Sequence, residues 1–159
     1  MTYTPTLSRR AALGLIAAVP VTLASPLILR SASASTPKVY AEDGIAIDGT
    51  DAVAYRTEGA PTPGSADFAF DWNGATWHFS SAETREMFIS GPEYYAPAYG
   101  GYCAFAVSQG YTASTVPEAW TIHEDRLFLN FSRRIQRRWA RDIPGNVVKG
   151  DANWPGVLA

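Results

Sequence analysis

Apolar and polar positions alternate over short stretches of this chain, and the alternation predicts two hairpins. Phe68-Ala69-Phe70-Asp71-Trp72 and Ala75-Thr76-Trp77-His78-Phe79 are aromatic-rich with a period of two and flank Asn73-Gly74. Asn-Gly suits the left-handed conformations of a two-residue turn, so a tight hairpin is expected there. Trp120-Thr121-Ile122-His123 and Leu127-Phe128-Leu129-Asn130-Phe131 repeat the arrangement about Glu124-Asp125. Earlier in the chain the pattern is weaker. Ile45 and Ile47 alternate, and a turn at Asp48-Gly49-Thr50-Asp51 separates them from Val53-Ala54-Tyr55, which reads as two short extended pieces between Val39 and Tyr55.

Helical signals fall between the hairpins and after them. Ser80-Ser81-Ala82-Glu83 offers a capping box, with a serine oxygen on a free backbone N–H and Glu83 reaching back to another. The helix should carry Met87 and Phe88 inward and stop at Gly91-Pro92. Glu93 to Thr112, rich in glycine and tyrosine, reads as compact irregular structure. Ser132 caps a helix through about Arg141 with Ile135 and Trp139 on its buried side; Pro144 closes it, and Asn146 to Ala152 add a short last helix. Hairpins mixed with short helices, without strict strand–helix alternation, predict an α+β domain built on a small antiparallel sheet.

The first 34 residues follow another plan. Ser8-Arg9-Arg10-Ala11-Ala12-Leu13 opens an apolar stretch that runs to Leu29 and meets small residues at Ala32-Ser33-Ala34, as in a twin-arginine signal peptide. A membrane anchor is the competing reading, and Pro20, Pro26 and Arg30 speak against it. The expectation is a signal peptide over 1–34, one domain over 35–159, export to the periplasm, and no membrane span after cleavage. Without Arg9, Arg10 and Arg30, ten basic groups face fifteen acidic ones, a formal charge of about −5 that disfavours nucleic acid as a partner.

The common catalytic signatures are absent: there is no glycine-rich phosphate loop, no G-x-S-x-G elbow and no H-E-x-x-H helix. Attention therefore falls on Cys103, the single cysteine, within Tyr99-Gly100-Gly101-Tyr102-Cys103. A lone cysteine in an exported domain forms no internal disulfide. It is either a small buried hydrophobe or a reactive thiolate. In the reactive case Cys103 is the catalytic residue, Tyr99, Gly100, Gly101 and Tyr102 form the binding surround, and an external thiol reductant completes the cycle, because no second cysteine resolves a sulfenic acid. His78 and His123 would join Cys103 as metal ligands, for copper or zinc, if the two hairpins converge; histidines that merely face solvent are the commoner outcome. Asp43, Asp48 and Asp51 are candidate hard ligands for a metal, but they sit in turns, where acids usually bond nearby backbone. The arginines at 133, 134, 137, 138 and 141 lie away from Ile135 and Trp139 and form a solvated face, the alternative being a face that binds an anion or a phospholipid headgroup.

The run Trp77 to Tyr95 resembles the core of the YHS domain, with Phe79, Phe88, Pro92 and Tyr95 in the family's register. Five further pieces, Gly49 to Tyr55, Trp72 to Phe79, Gly100 to Ser108, Leu127 to Asn130 and Asp151 to Pro155, are similar in order to the exported bacterial branch of YHS domain-containing (seleno)proteins. That resemblance implies that the position of Cys103 matters, since some relatives are described with selenocysteine there. Where metal-associated YHS domains carry cysteine this chain has Ala54, Ser80 and Thr84, so their soft metal site is missing. The expected function is thiol-based redox or metal handling at Cys103. The alternatives are a non-catalytic module that binds a small ligand or a partner through its tyrosines and tryptophans, and a copper or zinc carrier.

Overall fold

The structure is a computed structural model and describes residues 35–159; the leader expected over 1–34 lies outside the described residues. Strands β1 (Ala41–Glu42) and β2 (Ile45–Ala46) form a small antiparallel ribbon. The chain then turns through Thr50 into α1 (Ala54–Thr57), where a strand over Val53 to Tyr55 is expected. The physical reason is Asp51. Its Oδ1 accepts the backbone N–H groups of Val53 (2.9 Å) and Ala54 (3.4 Å), so the carboxylate serves the free donors of a helical first turn.

The first predicted hairpin forms as β3 (Ser65–Trp72) and β4 (Ala75–Phe79), paired antiparallel about Asn73 (φ 53°) and Gly74 (φ 87°). The sheet order is β1-β2-β4-β3, and the β2–β4 contact is parallel at Ile45 and Thr76, so the sheet is mixed where a purely antiparallel one is expected. No heavy atom lies within 4 Å of where a side chain at Gly74 would begin. Gly74→Val should therefore cost about 1 kcal/mol through the positive φ alone. A denaturant midpoint equal to that of the wild type would refute the turn's role.

Helix α2 (Ala82–Ser90) starts at a capping box made by Ser81 and Thr84, not Glu83: Ser81 Oγ accepts Thr84 N–H (3.1 Å) and Thr84 Oγ1 accepts Ser81 N–H (3.3 Å). Gly91 ends it, and Pro92 opens the short α3 (Pro92–Tyr95). The segment expected to be irregular contains a further helix, α4 (Ala104–Ser108). The second hairpin pairs β5 (Val116–His123) with β6 (Arg126–Asn130). Ser132 caps α5 (Arg133–Trp139) by accepting Ile135 N–H at 3.2 Å. Pro144 does more than close that helix: it sits in the first turn of α6 (Ile143–Asn153), where a missing N–H costs nothing.

Two aromatic-rich cores result, and β6 joins them. Leu127 and Leu129 enter a core with Val53, Tyr55, Trp77, Phe79 and Phe88. Phe128, on the opposite face of the strand, packs with Tyr99, Tyr102, Val107 and Trp139. The uninterrupted apolar run in β6 is thus a strand buried on both faces.

Candidate functional site

Cys103 is sealed in the interior. Only 1% of its surface is exposed, and it precedes α4 in a position fixed by the bond from its N–H to Ala113 O (3.0 Å). Its Sγ accepts the N–H of Phe131 at 3.3 Å and donates to Asn130 Oδ1 at 3.6 Å, so both hydrogen-bonding roles of the thiol are filled. The partly open, tyrosine-walled pocket expected around the sulfur does not form there. Tyr102 gives its hydroxyl hydrogen to Pro37 O (2.9 Å), and Tyr99 gives its own to Asp151 (2.9 Å).

The two glycines before the cysteine serve packing. A Cβ on Gly100 (φ 61°) would collide with the carbonyl of Lys38, and one on Gly101 (φ 86°) would lie 2.7 Å from Ile47 Cγ2. What comes close to them is therefore the N-terminal segment of the domain. The histidines do not complete a metal site. His123 ends β5 with its Nε2 4.0 Å from the Glu124 carboxylate, and His78 lies on β4 beside Gly49 and Gly64. Among the described residues no three His, Cys, Asp or Glu side chains converge to hold a metal ion, so Cys103, His78 and His123 are not brought together. The hairpins pack through other residues, and their histidines belong to separate neighbourhoods.

The structure builds a different site, a cleft of about 540 Å³. Trp72 and Trp77 from the first hairpin, Tyr94 from α3, and Trp154 after α6 supply aromatic walls. Tyr99 and Gly100, two of the four expected binding residues, also line it; Gly101, Tyr102 and Cys103 do not. Three cations reach the same space, Lys38, Arg56 and Arg126, with the acids Glu93 and Asp125 at the same wall.

Each arginine is held in its own way. Arg56 Nη2 donates to the carbonyls of Tyr94 (2.9 Å) and Asp125 (2.5 Å), and its guanidinium stands 4.1 Å from the Tyr94 ring centroid. Its Nε is buried without a partner among the described residues. Arg126 grips Asp151 through two bonds, 3.0 and 2.8 Å, while Tyr99 donates to the same carboxylate. Hydrogen bonding from Arg126 holds the Asp151 carboxyl below its usual range. Burial first, and then the bond to Asp151, pushes the Tyr99 phenol well above its usual range. Tyr99, Asp151 and Arg126 are thus a fixed and nearly neutral unit.

Chemically, the cleft can stack a flat or apolar body against its rings and offer donors from Lys38 and Arg56. Its polar lining is Lys38, Arg56, Asn73, Glu93, Tyr94, Tyr99, Asp125 and Arg126, a set suited to hydrogen bonding and charge pairing with a ligand. Sequence reasoning passed over Arg56, Arg126 and Trp154. The signal for the last is the motif Asp151-Ala152-Asn153-Trp154-Pro155, whose first residue anchors Tyr99. Compared with protein-family models, curated proteins and solved structures, the chain matches none of them, and the bearing on function comes from this geometry.

Proposed function

We propose that residues 35–159 are an exported, YHS-like binding module that takes a small molecule with a flat apolar body and a hydrogen-bond-accepting group. The observation that carries this reading is the aromatic cleft itself, whose 540 Å³ fall within the range of small-ligand sites, with Lys38 and Arg56 at its wall. Support for export comes from the leader pattern of residues 8–34, and support for the family from the ordered motifs, two of which contribute Trp72 and Trp154. In this reading the protein works in the periplasm and performs no chemistry on its ligand.

The test uses anilinonaphthalene sulfonate, a flat fluorescent anion, titrated against the folded protein. Saturable binding is expected, and Trp154→Ala should weaken it about tenfold through lost ring contact. Arg56→Gln should weaken it less. Both variants are melted alongside, because Trp154 also packs on Tyr99 and Tyr102. Absence of saturable binding, or unchanged affinity in a Trp154→Ala protein that melts like the wild type, would overturn the reading.

A second reading keeps thiol redox at Cys103. The observation that favours it is a specific polar contact to the sulfur, the Phe131 N–H aimed at Sγ. A peroxide would transfer an oxygen to the sulfur and leave as water or alcohol, and two equivalents of an external thiol would return the sulfenic acid to thiol, releasing water and a disulfide. With 1% exposure, however, reagents reach the sulfur only after local opening. Iodoacetamide should therefore modify Cys103 about a hundredfold faster in denaturant than in the native protein. Native modification at the rate of a free thiol would restore the redox reading.

A further inference from the structure

Half of the ten cationic side chains among residues 35–159 lie on α5 and the turn that follows it, at positions 133, 134, 137, 138 and 141, in a domain whose formal charge is about −5. Arg134, Arg137, Arg138 and Arg141 are spaced i, i+3, i+4 and i+7, which keeps side chains on one face of a helix. With Phe131, Ser132 and Ile135 they line a surface groove of about 710 Å³ that has no carboxylate on its wall. All four arginines are exposed, and among the described residues none forms an ion pair. The nearest acid in sequence, Asp142, is occupied in capping α6 through Gly145 N–H at 3.0 Å. Arg138 is steered over the ring of Phe105, 5.0 Å from its centroid. Phe131, more than half exposed, stands beside the arginines. The helix is tied down from behind by Trp139, fully buried among Phe128 and its neighbours, so the cationic face points outward as a rigid surface.

Like charges at these spacings repel, and the surplus of acids elsewhere in the domain would readily pair with them. An unneutralised stripe is complementary to an outside anion. From this geometry we infer that the α5 face docks on an anionic phospholipid surface, its guanidinium groups on headgroup phosphates and the Phe131 ring in the interface. Guanidinium matches phosphate oxygens in pairs, and clustered basic side chains are drawn to an anionic membrane surface, where an exposed aromatic ring such as Phe131 sits favourably at the headgroup level. The acidic remainder of the domain would be repelled by the same surface, which fixes the orientation of approach. Nothing in this docking depends on the aromatic cleft.

The experiment is co-sedimentation of the protein as recovered from cells, its N-terminus determined, with phosphatidylglycerol-containing vesicles and with pure phosphatidylcholine vesicles. The variant combining Arg134→Gln, Arg137→Gln, Arg138→Gln and Arg141→Gln has the same N-terminus, so any difference from the wild type belongs to the α5 face. Wild-type affinity for the anionic vesicles should exceed that of the variant at least tenfold and fall steeply with added salt, while binding to phosphatidylcholine is equal for the two. Phe131→Ser should lower the anionic binding severalfold without changing its salt dependence. Equal binding of wild type and quadruple variant to the anionic vesicles would overturn the inference. It would equally be overturned if the wild type ignored these vesicles while inorganic phosphate raised its melting temperature, or while polyglutamate bound to it, which would assign the face to a free anion or an acidic polypeptide.

Discussion

Asp51→Ala should lose about 3–5 kcal/mol of stability, the largest effect expected of any single polar substitution in the domain. Asp51 is completely buried, and its carboxylate holds two parts of the chain together. Oδ1 takes the N–H groups that open α1, and Oδ2 takes Ser80 N–H (2.9 Å) and Ser80 Oγ–H (2.7 Å), 29 residues away at the end of β4. Hydrogen bonds to a charged group are each worth about 1.5–3 kcal/mol, and truncation leaves several donors without a partner beside a cavity. Asp51→Asn keeps the shape but turns an N–H₂ toward one set of these donors. It should cost about 2 kcal/mol, less than the alanine variant. Urea unfolding read from tryptophan fluorescence checks both. A loss below about 1 kcal/mol for Asp51→Ala would show that this carboxylate does not join the two segments.

Gly100→Ala should cost about 3 kcal/mol or more, far beyond what a positive φ alone imposes. At φ 61° an alanine pays about 1 kcal/mol for the left-handed region, and its Cβ would also meet the Lys38 carbonyl. That contact cannot relax easily, because Tyr40 N–H is bonded to Gly100 O at 2.9 Å and holds the two strands of chain in place. Gly59→Ala is the control. Gly59 has φ 69° with open space around it, so it isolates the backbone strain, about 1 kcal/mol. Thermal or urea melts of the two variants separate the contributions. Equal losses would mean that the close approach of Lys38 to Gly100 carries no weight. Because Lys38 and Gly100 both line the cleft, Gly100→Ala should also weaken dye binding in protein that remains folded.

The elements read correctly from sequence are those whose cause is local. Asn73-Gly74 forms its hairpin turn because both residues tolerate the positive φ required, at the second turn Asp125 does so while Glu124 is held at φ 47° by the pairing of the flanking strands, and Ser132 caps α5 because its hydroxyl reaches a free N–H three residues on. The α+β class follows from the same local signals. Val53 to Tyr55 went the other way: three apolar residues have no decisive period, and the outcome turned on an Asp51 carboxylate anchored by Ser80, a partner the local pattern does not contain. The Glu83 expectation failed over a smaller difference, because starting the helix after Ser81 puts Thr84 at the third position.

For the site, the sequence by itself determined which residues carry chemistry, one thiol, two histidines, a tyrosine cluster and an arginine-rich helix, and, through helical spacing, that four arginines share a face. Whether those residues meet was decided by tertiary structure alone. Asn130 and the Phe131 N–H close over Cys103, the histidines end in separate neighbourhoods, and the glycines expected to admit a ligand instead admit Lys38 and Ile47. The cleft draws Lys38, Arg56, Trp72, Arg126 and Trp154 from across more than a hundred residues of chain, each set by a different element. No spacing rule links them, because what places them side by side is the packing of two hairpins and a C-terminal helix about shared cores.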